Sequence, residues 1–475
     1  MAFLTQEEFA LFQQYGEKYA YEYPGAHEQL RSLYDKLGKI ADAIKPYGFI
    51  THIRRNPQNQ GQRYESYHWA QIVPRNFSDA VGKIFYVIDF TSNGFGTHID
   101  CAQRNGYSIN DRTKNYQGWE SISVEKVCEM EIKDIVTFVL DYCHRHRRDF
   151  LCFGKEYNIK SCIKLLNMEK HIDLLKSNKN LILTGAPGTG KTYLAQQIAK
   201  EIGCCEAQIG FVQFHPSYDY TDFVEGLRPK QDDSGNIGFE PKDGIFKKFC
   251  ENALQTYLSD ANNAPKYVFI IDEINRGEIS KIFGELFFSI DSGYRVTKGM
   301  IDDHRSGKSP LVTIRTQYSN MCKRPNAFDE ALGITDANDF GHFFVPDNVY
   351  IIGTMNDIDR SVESMDFAFR RRFAFKEIKA SENLGMLDDL EDKDNIIKRM
   401  ENLNAAIEKV EGLSSAYHIG GSYFMKLKLY QNEDKSYDYD SLWNNHLEGL
   451  LMEYLRGMAD AEKKVKELKE YYDLK

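Results

Sequence analysis

Lys191 and Thr192 end the stretch "GAPGTGKT" (185–192), which fits the pattern G-x-x-x-x-G-K-[ST]. The chemistry of that pattern is phosphate capture. Gly185, Ala186, Pro187, Gly188, Thr189 and Gly190 make a loop whose glycines let successive backbone N–H groups turn inward on phosphate oxygens. The Lys191 ammonium reaches the β- and γ-phosphates, and the Thr192 hydroxyl is placed for Mg2+. The helix starting there, with Tyr193 in its first turn, adds partial positive charge at its N-terminus.

Two further stretches end in groups that could act on a bound phosphate. "YVFIIDEINR" (267–276) is a continuous apolar run closed by two acids, 81 residues after Lys191. Asp272 can hold Mg2+ through water, and Glu273 can orient and deprotonate an attacking water. A capped strand end is the plainer reading of the same residues. "VYIIGTMNDIDRSVESMDFAFRRRF" (349–373) again runs strand, polar loop, helix. Asn356 at its strand end would sit beside the γ-phosphate, with Asp359 and Arg360 following in the loop. Arg370, Arg371 and Arg372 close the helix. Three adjacent arginines cannot all face a core. One supplied across a subunit boundary would stabilise charge on the transferring phosphoryl group; a solvated helix end favoured by the dipole is the alternative.

These groups need strands that end side by side. From about 160 the pattern alternates helix, strand, loop and helix to about 376, as a parallel α/β sheet requires. "IKLLNMEKHIDLLKSNKN" reads as a helix into the strand "LILTG", and "ISKIFGELFFSI" as one helix with Ile279, Ile282, Phe283, Leu286 and Ile290 on its core face. After 380 the chain reads as mostly helical, with the acidic "LDDLEDKD" (387–394) as a solvated loop. The expected architecture is an α/β nucleotide-binding core over 160–380 and a helical lid with C-terminal helices over 381–475. A separate α+β domain over 1–155 precedes them.

That first part differs in composition. Residues 1–150 hold 18 Lys+Arg and 19 Asp+Glu, a balance of −1 within the chain's total of −10, and six of the twelve histidines. Helical spacing over roughly 5–45 leads into the strand-like runs "GFITHIRR", "SYHWAQIV", "KIFYVIDF" and "GTHIDCAQ"; "EIKDIVTFVLDYCHRHR" reads as a closing helix. The acidic net charge argues against a wholesale polyanion binder while leaving room for a local basic face. The first 20 residues lack the basic start and apolar core of a leader, and no run reaches the ~18 apolar residues of a membrane span. Nine scattered cysteines then suggest reduced thiols and a cytoplasmic location, with no membrane contact. Cys143, His144, His146 and Cys152 crowd together, but lack the paired spacing of a zinc site. No nuclease-like carboxylate pattern stands out, so any DNA cleavage would belong to another chain.

Taken together these segments resemble the AAA+ class and, within it, the McrB family, the nucleotide-hydrolysing motor subunits of modification-dependent restriction systems. The likeness is carried by "GAPGTGKT", "VQFHPSYDYTDFVEGLRP" with "GFEPKDGIFKKFC", "IIDEINRGEISKIFGELF", "FFVPDNVYIIGTMNDIDRS" with "AFRRRF", and "IGGSYF" with "LWNNHLEGLLMEYLRG", over roughly 181–457. Met355, Asn356, Asp359 and Arg360 match the family's M-N-x-x-D-R loop position by position. The chain departs from the pattern at Gly421, where a histidine is expected, and in the insertion-like "NMCKRPNAFDEALGITDANDFGH". The resemblance implies GTP rather than ATP, a homo-oligomeric and hexameric ring, a separate McrC-like nuclease subunit, and action on DNA in phage defence. The phosphate loop itself does not read the base, so ATP stays open. An alternative is a MoxR-like ATPase that remodels a protein partner, with the N-terminal domain as adaptor.

For that domain the informative stretch is "ITHIRRNPQNQGQRYESYHWAQIVPRN" (50–76). It interleaves Arg54, Arg55, Arg63 and Arg75 with Tyr64, Tyr67, His68 and Trp69. Arginines pair with phosphates and aromatics stack on unpaired bases, so a ribbon of this kind could present both to DNA. Alternating aromatics in a hairpin also read as core on one face.

Overall fold

The chain divides into two units, Met1–Lys170 and His171–Lys475. The computed structural model describes residues 3–53, 56–58, 61–101, 118–156, 158–231, 237–259, 264–358 and 367–474.

The first unit is built on an antiparallel sheet. Its strands β1 (Phe49–Ile53), β2 (Tyr67–Pro74), β3 (Ile84–Thr91), β4 (Gly94–Cys101) and β5 (Glu120–Ser123) lie in sequence order, each paired with the next. Helix α1 (Gln6–Tyr15) contributes Phe9 and Phe12 to the core. In α2 (Ala26–Ile44), Leu30, Leu33, Leu37, Ile40 and Ile44 recur at helical spacing, and all five are buried in the core that holds Ala70, Ile72, Ile84 and Ile88. Helix α3 (Ile132–Arg145) adds Ile135, Val139 and Tyr142. The strands and closing helix anticipated from the apolar runs are all present.

The division between the units falls inside α4 (Lys160–Asn178), later than the composition shift near 150–155 suggested. The second unit opens with β6 (Asn180–Thr184), then α5 (Lys191–Glu201) and β7 (Ile209–Gln213). An antiparallel hairpin follows, β8 (Glu225–Gln231) with β9 (Ile237–Asp243), then α6 (Ile245–Ser259) and β10 (Tyr267–Asp272). After β11 (Val349–Thr354) and β12 (Ala374–Glu377) the sheet is complete, in the order β12-β6-β11-β10-β7 with every pairing parallel. Strands β6, β11 and β10 are central and buried, which their unbroken apolar runs require. Their carboxyl ends therefore lie side by side.

Two local expectations are modified. "ISKIFGELFFSI" is two short helices, Ile279–Phe283 and Leu286–Ser289, parted at Gly284 with φ +49°. Tyr220 packs at that break and its hydroxyl donates to Glu285 at 2.5 Å. Ile279, Ile282, Phe283, Leu286 and Ile290 are still all core. The insertion-like stretch is anchored: buried Asp329 accepts from the backbone N–H of Asn326, Gly341 and His342 at 2.9–3.0 Å, and Phe328 enters the core.

The remaining chain forms the helical part, with α7 (Lys393–Ile407), α8 (Glu448–Tyr454) and α9 (Ala461–Tyr472) around Leu403, Trp443, Leu447, Leu468 and Tyr472. Leu387 and Leu390 of the acidic stretch are buried in this core, while Asp388 and Asp389 stay exposed. Among the described residues no helix is long and apolar enough to cross a membrane.

Candidate nucleotide-binding and hydrolysis site

The loop from Gly185 to Gly190 leaves the carboxyl end of β6 and turns into α5. Gly190 caps that helix in the left-handed region (φ +79°), a conformation glycine adopts without cost. Lys191 is buried, and its ammonium donates to the carbonyls of Ala186 at 2.8 Å and Gly185 at 3.0 Å. Tyr193 is half exposed on the next turn.

The loop's outer face is held by the helical part. Gly420 N–H donates to the Pro187 carbonyl and Ser422 N–H to the Gly188 carbonyl, both at 3.0 Å. The Asn383 amide donates to Thr189 O at 3.2 Å and Gly190 O at 3.4 Å. With these carbonyls engaged on one side, the loop's N–H groups are left for the other. The approach is close: a Cβ at Gly420 would lie 2.2 Å from the carbonyl carbon of Gly188. At Gly421 a Cβ would stand 3.0 Å from Met386 Sδ, so the glycine found in place of a histidine matches the packing around it.

The second half of the site comes from β10 and β11. Asp272 Oδ1 accepts from Thr192 Oγ1 and from Thr354 Oγ1, each at 2.6 Å. Glu273 has φ +51° and ψ +45°, unusual for a side chain of this size. Its Oε1 accepts from Asn356 Nδ2 at 2.7 Å, and its Oε2 stands 3.3 Å from Arg276 Nε. Thr192, Asp272, Glu273 and Asn356, spread over 165 residues of sequence, thus form one bonded cluster with Thr354. The Thr192 hydroxyl and Asp272 carboxylate are hard oxygen donors. They suit Mg2+, which takes one or two such protein ligands and fills its shell with phosphate and water. Asp359 and Arg360 lie outside the described residues.

The arginines separate. Arg372 donates to the Ala368 carbonyl, lies against the Phe287 ring and stands 3.9 Å from Asp291. Its own carbonyl accepts from Asn180 Nδ2 at 2.9 Å. Arg370 rests over Phe375, and both Arg370 and Arg371 are exposed. All three precede Ala374, the residue of β12 paired with Leu181 near the start of β6. They therefore sit toward the amino ends of the parallel strands, about 10–15 Å of strand from the phosphate loop.

Thr354 and Asn383 were not anticipated from sequence. Thr354 carries the signal that marked Asp272, a polar residue closing an apolar strand. Asn383 carries none, because its role depends on how the helical part folds back.

The ribbon in the first unit divides by face. Tyr64 and His68 are buried. Tyr64 donates to the Tyr23 carbonyl, and His68 stacks on Tyr34 at 3.6 Å with Phe12 against its edge. They belong to the core and cannot stack on a base. Tyr67 is exposed, Trp69 partly so, and Arg75 is exposed with its guanidinium reaching the Lys45 carbonyl. Arg63 lies over the Tyr19 ring and donates to its hydroxyl at 2.9 Å. Arg54 and Arg55 lie outside the described residues.

A glycine-rich loop after β6, two acids at the end of β10, an asparagine just past β11, which lies between β6 and β10, and a helical part latched to the loop define a P-loop nucleoside-triphosphatase domain of the AAA+ class. Residues 180–373 match the family model "AAA domain (dynein-related subfamily)", and residues 395–463 match "McrB, alpha-helical lid domain". Over 268 residues the chain is 35% identical to the Type IV methyl-directed restriction enzyme EcoKMcrB subunit of Escherichia coli (strain K12), covering 54% of this chain and 50% of that one. Over 217 residues it is 29% identical to the Type II restriction enzyme BsuMI component YdiS of Bacillus subtilis (strain 168), covering 42% and 56%. Residues 180–373 are thus similar to an AAA domain and residues 395–463 to the helical lid of McrB proteins. The chain spans about half the length of the curated relatives it matches.

Proposed function

We propose that this chain binds a magnesium-nucleoside triphosphate, GTP in preference to ATP, and hydrolyses it as the motor of a restriction system acting on DNA with a separate nuclease subunit. The observation that carries the reading is the bonded cluster of Thr192, Asp272, Glu273 and Asn356 beside the Lys191 loop. The loop N–H groups and the Lys191 ammonium would meet the phosphate oxygens, and Thr192 and Asp272 would hold Mg2+, which when bound would neutralise phosphate charge. Glu273 accepts the proton of the attacking water, and Asn356 orients that water through its contact with Glu273. The relatives' names support the restriction setting.

The placement of the arginines supports a ring. Arg370 and Arg371 are exposed at the end of the sheet away from their own phosphate loop, which supports their serving a neighbouring subunit's nucleotide in a hexamer. DNA contact belongs to the first unit, through the exposed Arg63 and Arg75 rather than the buried aromatics.

The deciding experiment is steady-state hydrolysis by the purified full-length protein with GTP and ATP, with and without duplex DNA, alongside its mass with bound nucleotide. Turnover of GTP above ATP and a nucleotide-dependent oligomer are expected. No turnover of either would remove the motor reading. In mixed rings, Arg371→Ala subunits combined with Lys191→Ala subunits should regain some activity, since each defect can lie at a different interface.

A further inference from the structure

Thr354 closes β11 and is buried at the centre of the site. Its hydroxyl donates to Asp272 Oδ1 at 2.6 Å and accepts from the Glu273 backbone N–H at 3.3 Å. A hydroxyl has one proton to give and lone pairs to receive, so one side chain ties both acids of the β10 terminus. The parallel register puts it there: Ile271 faces Gly353, and Thr354 is one step further on. The step matters because Glu273 is left-handed, a state that persists in a non-glycine residue only where its surroundings over-determine it. Its ties include Thr354 on its N–H, Arg276 N–H on its carbonyl at 2.9 Å, and Asn356 and Arg276 Nε on its carboxylate. Thr354 also lies two residues before Asn356, so one strand end carries both the residue that holds the Glu273 backbone and the residue that holds its side chain.

We propose that Thr354 is a positioning residue for hydrolysis. Its hydroxyl sets the Asp272 carboxylate that pairs with Thr192, and it holds the Glu273 backbone in the conformation that brings the Glu273 carboxylate to Asn356. The branched side chain at the end of a buried strand has little χ1 freedom, so the hydroxyl is fixed before nucleotide arrives. The inference rests on the reading of the site as a magnesium-nucleotide hydrolase.

Thr354→Val keeps volume and branching and removes the hydroxyl; Thr354→Ser restores it. The full-length proteins are compared in three measurements. These are kcat with GTP and with ATP, the Mg2+ concentration for half-maximal binding of fluorescent non-hydrolysable GTP and ATP analogues, and the thermal midpoint. Thr354→Val should lower kcat about tenfold or more, the effect of losing a charge-assisted hydrogen bond at the reacting groups. It should also raise the Mg2+ midpoint and leave magnesium-free analogue affinity unchanged. Thr354→Ser should recover most of both. A purely structural threonine would lower the thermal midpoint and leave the Mg2+ midpoint in place. Wild-type kcat and Mg2+ midpoint in Thr354→Val, or a serine variant as impaired as the valine, would overturn the assignment. If Thr354→Val does not fold, Thr354→Ala against Thr354→Ser makes the same contrast. Should the wild-type protein hydrolyse neither nucleotide, the hydrolase reading fails by itself, while the Mg2+ midpoint still tests Thr354.

Discussion

The two units use their sheets in opposite ways. In the first, sequential strands pair antiparallel, so residues close in sequence stay close in space and alternate between faces. A dense ribbon of arginines and aromatics is split by that alternation: His68 goes to the core with Ala70 and Ile72, while Tyr67 and Trp69 take the other side. In the second, parallel strands return through crossovers, and residues far apart in sequence meet at one end. Thr192, Asp272 and Thr354 come from three segments and share hydrogen bonds of 2.6 Å. Local density of reactive residue types is thus a poor guide to a site in an antiparallel sheet. Polar residues that close apolar strands are a good one in a parallel sheet.

The contrast can be broken most sharply at Lys191. Lys191→Ala removes the buried ammonium that the phosphate loop encloses, and nucleotide Kd should rise on the order of a hundredfold or more. An unchanged Kd in a fluorescence titration would detach the loop from phosphate binding. Glu273→Gln keeps shape and the Asn356 contact but cannot take a proton. Binding should persist while kcat falls by roughly two to three orders of magnitude, and near-normal turnover would release Glu273 from that role.

Gly420→Ala tests the latch between lid and loop. The added carbon meets backbone at 2.2 Å, so lid or loop must shift. Such overpacking costs about 1–3 kcal/mol, and nucleotide affinity should fall roughly tenfold. Affinity equal to wild type would mean that the loop holds its shape without the lid.

The smallest effect lies in the first unit and depends on pH. Burial pushes the His68 imidazole down to about 3, and neither ring nitrogen has a hydrogen-bond partner among the described residues. Its folded pKa is below its unfolded one, so its contribution is fully present above about 6.5 and is lost as pH falls toward 3. His68→Phe keeps the stack on Tyr34 and removes the titration. It should change stability at pH 7 by about 1 kcal/mol or less, and hold up better than wild type at pH 4.5. Thermal unfolding by scanning calorimetry at both pH values measures the difference; equal acid sensitivity in both proteins would place the titrating group elsewhere.

Much of this molecule is written locally. The apolar runs at 181–184, 267–271 and 349–353 are strands because they are short, continuous and closed by polar residues. "GAPGTGKT" turns from strand to helix as it does because its glycines permit the positive-φ conformations the backbone takes there. Asp272, Glu273 and Asn356 stand out for the same reason, each lying just past an apolar strand. Helix faces such as Leu30, Leu33 and Leu37 follow from period alone. What tertiary structure decided is everything that depends on two segments arriving together. Thr354 becomes the tie between two acids only once β11 lies beside β10 in register. Asn383 and Gly420 become part of the loop only when the helical part folds back onto it. Tyr220 shapes the break at Gly284 from a distance of 64 residues along the chain. Burial also sorted the arginines, packing Arg372 on Phe287 and leaving Arg371 in solvent, because a run of identical residues carries no record of which neighbour each will meet.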